Sequence, residues 1–221
     1  LPVDLPEYVT GTDTKIAPIV SSEKAARIIL KMWDRRYKRT ADFVVIEGAH
    51  AGGHLGFSRE ELNHLYEPDY EANYDDEIRR IIACVHEYGE KYGVHIPVIT
   101  AGGIMNARQV QHAFALGAEG VQVATPFVTT EECDADVAFK QAYVDAKPGD
   151  AVIVKSPVGM PGRALNNNFI ADIVPQGCKI KRCFNCLTHC DPKTIPYCIS
   201  QALFNGANGD IDHGLIFCGA N

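Results

Sequence analysis

The sequence predicts an α/β protein with a parallel sheet, followed by a Cys-rich, mainly helical C-terminal region. Four short apolar runs between Lys15 and Ala124 have the near-continuous hydrophobic character of strands buried on both faces. Stretches of helical spacing separate them, which is the pattern of right-handed βαβ units. From about Lys147 the alternation stops, and six prolines, Asn166-Asn167-Asn168 and a group of cysteines take over.

Lys15 to Val20 reads as the first strand, and Ser22 follows as a helix N-cap. Ala25, Ala26, Ile29, Met32 and Trp33 then fall on one helical face. Asp42 to Ile46 is the second strand, and a Gly-rich loop runs from Glu47 to Gly56. Asp75 or Asp76 opens a helix carrying Ile78, Ile81, Ile82 and Val85, and Gly93 stops it. Ile96 to Thr100 is the third strand. Asn106 caps a helix with Val110, Ala113 and Phe114, which ends at Gly117. Gly120 to Ala124 is the fourth strand, and further helices are expected over 134–145 and 194–204.

Composition narrows the function. The 221 residues are 46% hydrophobic and 22% charged, enough apolar material for a packed core. Lys and Arg number 21 against 28 Asp and Glu, so the chain is mildly acidic at −7. A nucleic-acid partner is not expected, because binding a phosphate backbone calls for a basic surface. A membrane partner is not expected either, since no apolar run reaches the roughly 18–20 residues of a membrane span. Only two of the eight cysteines lie in the first 177 residues, which suggests reduced thiols or a metal site in the cytoplasm rather than a disulfide framework.

The chemistry-bearing residues sit at strand ends. Gly48-Ala49-His50-Ala51-Gly52-Gly53-His54-Leu55-Gly56, Ala101-Gly102-Gly103-Ile104 and Ala124-Thr125-Pro126-Phe127 follow three successive strands. In parallel α/β folds the C-terminal strand ends form the ligand face. Glycines let backbone N–H groups approach an anion, and a following helix N-terminus adds a favourable dipole. The alternative is that the glycines simply make tight turns; Gly102-Gly103 together with Thr125 favours a phosphate clamp. His54, among glycines on that face, is a candidate acid/base; the bland reading is a structural hydrogen-bonder.

These three motifs, in this order and spacing, resemble the nitronate monooxygenase (2-nitropropane dioxygenase-like) family, which includes the FMN-dependent enoyl-ACP reductase II branch. Lys155 to Ala164 also resembles the family's post-barrel stretch. The resemblance implies a (β/α)8 TIM-type barrel holding FMN at its strand ends. It implies the FMN phosphate on Gly102, Gly103, Ala124 and Thr125, with Gly52 and Gly53 also at the cofactor and Gln122 and Ser22 nearby. His54 matches the family's active-site histidine. Ala124 departs from the family, which has Gly before this Thr. The implied reaction is oxidation of an alkyl nitronate with O2 to a carbonyl compound and nitrite. The alternative within the family is reduction of an enoyl thioester by NAD(P)H. The family's opening apolar segment is not found here, so the four strands are expected to be strands five to eight. Residues 1–146 would be the C-terminal half of the barrel and 147–221 a post-barrel extension, in a chain cut at Leu1 and Asn221.

Cys183, Cys186, Cys190 and Cys198 could bind an iron–sulfur cluster or Zn²⁺, and a module built on Cys178 to Cys198 is the functional alternative of another class. The other readings are packed reduced thiols and a redox C-x-x-C, which needs a lowered thiol pKa.

Overall fold

The computed structural model describes residues 2–178, 180, 182–187 and 190–220; Leu1 and Asn221, the expected cut points, lie outside them. The chain packs into two compact units. The first comprises Leu1–Ala49 and Arg59–Gln122, the second His50–Ser58 and Val123–Asn221.

The first unit is the expected mixed α/β fold. Its elements are α1 (Leu5–Tyr8), β1 (Ile19–Val20), α2 (Glu23–Tyr37), β2 (Val44–Glu47), α3 (Arg59–Asn63), α4 (Tyr70–Tyr92), β4 (Val98–Ala101), α5 (Ala107–Ala115) and β5 (Gly120–Gln122). Four strands pair in parallel in the order β1-β2-β4-β5. The first strand is shorter than its apolar run. Pro18 has no N–H to donate, although its carbonyl still accepts from Val45 N–H at 3.1 Å.

Local chemistry sets the helix ends. Ser22 Oγ accepts from Ala25 N–H at 3.2 Å, and Asn106 Oδ1 from Gln109 N–H at 3.1 Å, so both expected caps form. Gly93 closes α4 in the left-handed region, with φ 64°. α4 begins at Tyr70, ahead of the expected Asp75 or Asp76, and Tyr70 stacks on Tyr74 one turn later. The core gathers Ala26, Ile29, Leu30 and Trp33 of α2, Ile78, Ile81, Ile82 and Val85 of α4, and Val44, Ile46 and Val98 of the sheet. Phe114 is the exception on its expected apolar face, at 49% exposed.

The second unit departs from the sequence expectation. It contains β3 (Gly53–His54), α6 (Thr125–Val128), α7 (Val137–Asp145), β6 (Ala151–Lys155), β7 (Pro161–Leu165), a π-helical turn (Phe169–Ile173), α8 (Val174–Gln176) and α9 (Ile199–Ala207). The region after Lys147 is therefore mixed rather than mainly helical. Its hairpin β6-β7 runs antiparallel, and β3 extends it in the order β3-β7-β6. The run Val152-Ile153-Val154 is β-branched and strand-forming, which the scattered prolines obscure. α9 starts at Ile199, and the first turn expected from Thr194 is not part of it, since Pro196 disfavours helix at Ile195. Phe169, Tyr197, Ile199, Ala202 and Leu215 pack with Val154 and Ala164 of the hairpin.

Candidate active site

His54 is held by the antiparallel sheet of the second unit. Gly53 pairs with Arg163 and His54 with Gly162. Gly53 has φ 74°, a conformation that costs glycine least. Close approach of other atoms explains Gly52 and Gly162. A Cβ on Gly52 would lie 2.5 Å from the carbonyl carbon of Cys218, and one on Gly162 would lie 3.1 Å from the Phe217 ring. The segment 217–220 is tied to this loop, with Cys218 N–H donating to Arg163 O at 3.2 Å and Ala220 N–H to His50 O at 3.0 Å. The Phe217 carbonyl accepts from the Tyr143 hydroxyl. Arg163, buried at 2% exposed, donates to the Ala51 carbonyl.

The imidazole itself has two defined neighbours. Nε2 lies 2.7 Å from Ser156 Oγ. The Phe217 ring meets the imidazole edge-on, with centroids 5.1 Å apart. Burial holds the His54 pKa below its ordinary 6.5, so the ring is neutral at pH 7. The site thus offers a neutral imidazole that can donate or accept one hydrogen bond toward a ligand. Ser156 lies within the stretch that resembles the family, but sequence reasoning gave it no role. The signal was there in part, since Ser156 follows an apolar strand and precedes a Pro-Val-Gly turn.

The remaining sequence-predicted residues are divided between the units. Gly102 and Gly103 follow β4 in the first unit, with φ 97° and 73°. Two successive left-handed residues just before the α5 cap form a turn that side chains rarely tolerate, and such turns can aim N–H groups at an anion. Gln122 ends β5 with an exposed side chain. Ser22 uses its hydroxyl oxygen as the α2 cap. In the second unit Ala124 is exposed, and Thr125 starts α6. A Cβ on Gly219 would lie 3.4 Å from Thr125 Oγ1, so the chain end passes close to that residue. Glu47, at the end of β2, was also given no role from sequence. Burial raises its pKa above 4.5, and its carbonyl accepts from Tyr74 OH at 3.0 Å.

The cysteines named as candidate metal ligands come together. Cys183, Cys186, Cys190 and Cys198 line one small cavity of about 30 Å³. Yet among the described residues no group of three or more His, Cys, Asp or Glu side chains is arranged to hold a metal ion. The thiols are instead engaged locally, Cys183 with Asn185 and Cys186 with the hydroxyl of Ser200. The thiol of Cys190 is pushed up by burial and by its sulfur neighbours. Among the described residues, no helix is long and apolar enough to cross a membrane.

The fold is an α/β fold of the kind anticipated from the three motifs, and comparison with known proteins agrees on that fold. The family model for nitronate monooxygenase matches residues 8–221, and the chain belongs to that family. A probable nitronate monooxygenase of Staphylococcus aureus (strain Newman) is 32% identical over 163 residues, 74% of this chain and 38% of that protein. The structure of FabK from Thermotoga maritima superposes with a TM-score of 0.67 at 26% identity, covering 99% of this chain and 58% of FabK. The fold is also that of a nitroalkane oxidase from Streptomyces ansochromogenes, with a TM-score of 0.63 at 23% identity, covering 97% of this chain and 55% of that one. The chain thus spans well under two thirds of each of these relatives.

Proposed function

We propose that this chain is part of a cytoplasmic FMN-dependent oxidoreductase that oxidises alkyl nitronates with O2 to carbonyl compounds and nitrite. Residues 1–146 would form the C-terminal half of its (β/α)8 barrel, and 147–221 the post-barrel extension. The observation that carries this reading is the neutral His54, bonded to buried Ser156 within a span matched end to end by the family. The open order β1-β2-β4-β5 supports the partial barrel, because among the described residues β1 and β5 each have one strand neighbour. Closure of a barrel would use both free edges.

The residues present fit a flavin phosphate. The turn at Gly102 and Gly103 has both residues at positive φ, a backbone form that can present N–H groups to an anion. The resemblance to the family also implies the N–H groups of Ala124 and Thr125 as phosphate donors, and the Ala124 methyl is the one departure from the family. The resemblance also implies Gly52 and Gly53 at the cofactor, with Ser22 and Gln122 nearby. FMN, when bound, would supply the two-electron chemistry that no side chain can. His54 would act as the acid/base or orient the substrate anion.

The test is a nitronate oxidation assay on full-length protein and its His54→Ala variant, with the visible spectrum recorded as purified. The expected result is a yellow, FMN-releasing protein whose turnover falls at least about a hundredfold in the variant. Unchanged turnover would remove His54 from the mechanism. A second reading, reduction of an enoyl thioester by NAD(P)H, follows from the resemblance to the reductase branch. The likeness to FabK over nearly the whole chain favours it. NAD(P)H oxidation that depends on an enoyl thioester would select it.

A further inference from the structure

We infer that Ser156 is a positioning residue that fixes His54 as the Nδ1–H tautomer, so that the imidazole meets its substrate as a hydrogen-bond donor rather than as a base. The inference deepens the proposed function and rests on His54 being the active-site histidine.

Ser156 follows β6 and is 2% exposed, so water does not satisfy its hydroxyl. The turn around it is tightly defined. Ser156 N–H donates to Met160 O at 3.3 Å, and Gly159 N–H to Ser156 O at 3.1 Å. The hydroxyl oxygen accepts from Val158 N–H at 3.4 Å. One hydrogen and one lone pair remain. Among the described residues, the partner left for the hydroxyl is His54 Nε2 at 2.7 Å.

Two arrangements satisfy that distance. If Nε2 carried the proton, the hydroxyl would accept from both Nε2–H and Val158 N–H. Its own hydrogen would then be buried without an acceptor, which is the costly outcome for a hydroxyl. If the hydroxyl donates to Nε2, every group is used. The second arrangement leaves the lone pair of Nε2 occupied and places the ring proton on Nδ1. It also opposes imidazolium, because protonating Nε2 would expel the hydroxyl hydrogen from its acceptor. Burial acts in the same direction.

The consequence is chemical. A neutral ring with its basic nitrogen occupied cannot readily take a proton from carbon. Its Nδ1–H can donate to an oxygen that already carries negative charge, as a nitronate does. The site then suits preformed anions, and a neutral nitroalkane would lack the base it needs.

The experiment is long-range ¹H–¹⁵N correlation NMR on full-length protein labelled with ¹⁵N-histidine, with assignment by His54→Ala. The expected result is an Nδ1–H resonance pattern for His54, with Nε2 shifted as an acceptor. In Ser156→Ala the proton should move to Nε2, the preference of free imidazole side chains, while Ser156→Thr should retain Nδ1–H. In the nitronate assay, kcat/KM of Ser156→Ala should fall about tenfold, mostly through KM, and Ser156→Thr should recover it. An Nε2–H pattern in the unsubstituted protein would overturn the inference, and so would a tautomer unmoved by Ser156→Ala. If Ser156→Ala does not fold, the unsubstituted and Thr spectra still decide. The two readings fail separately. An Nδ1–H tautomer with no nitronate turnover defeats only the proposed reaction. Turnover that needs His54 with an Nε2–H tautomer defeats only the role of Ser156.

Discussion

The sheet of the first unit is assembled from neighbours in sequence, and the sheet of the second from segments far apart. In the first unit each strand pairs in parallel with the next strand of that unit, across an intervening helical segment. In the second, β3 lies beside β7, and the bond between His54 and Ser156 spans 102 positions of sequence. The first design puts stability into helix faces packed on a sheet. The second adds to its own apolar core close backbone approaches at glycine and a few buried polar contacts. Sites that need one side chain held in one orientation benefit from the second kind of support, because packing alone does not select a tautomer or a ring edge.

Substitutions that attack each kind of support test this contrast. The largest effect is expected in the first unit, at Trp33→Ala. Trp33 is fully buried, and its Nε1–H donates to Pro2 O at 3.1 Å. The loss should be about 4 kcal/mol in urea titrations, with hydrogen-exchange protection falling first in α2 and α4. A loss below about 1 kcal/mol would mean that the helix faces are not the main support.

Gly52→Ala comes next, because its Cβ would meet backbone rather than a yielding side chain. The cost should be about 2 kcal/mol, and protection should fall at residues 50–58 and 217–220. A neutral result would show that the chain end is not packed on this loop. Asn106→Ala, which removes the α5 cap, should cost about 1 kcal/mol, with local fraying readable by exchange at Gln109 N–H.

The smallest effect is the pH dependence that His54 contributes. Its folded pKa is depressed below 6.5, so the unfolded chain takes up this proton first as the pH falls. Stability present above pH 6.5 should therefore decline as the pH drops through 6.5 toward the lower folded value. Comparing unfolding free energies of the unsubstituted protein and His54→Gln at pH 7.5 and pH 5 isolates the contribution. A difference that is equal at both pH values would mean that the imidazole is not desolvated.

Much of the first unit was legible because its determinants are local. Apolar runs, helical spacing, the caps at Ser22 and Asn106 and the stop at Gly93 are each written within a few residues. The motifs also marked His54 and the Gly102-Gly103 turn. The helical expectation for the C-terminal region missed the hairpin β6-β7, because scattered prolines obscured the β-branched run at 152–154. Cys183, Cys186, Cys190 and Cys198 line one small cavity, and Asn185 and Ser200 engage two of them.

The sequence by itself determined the α/β alternation, the family and the identity of the candidate histidine, because each is encoded by residue type at short spacing. Only the tertiary structure decided that His54 lies in an antiparallel strand against β7, that Ser156 is its partner, and that Gly52 is needed for the approach of Cys218. Those contacts depend on which distant backbones come within a few ångströms of one another. Local patterning carries no record of that distance.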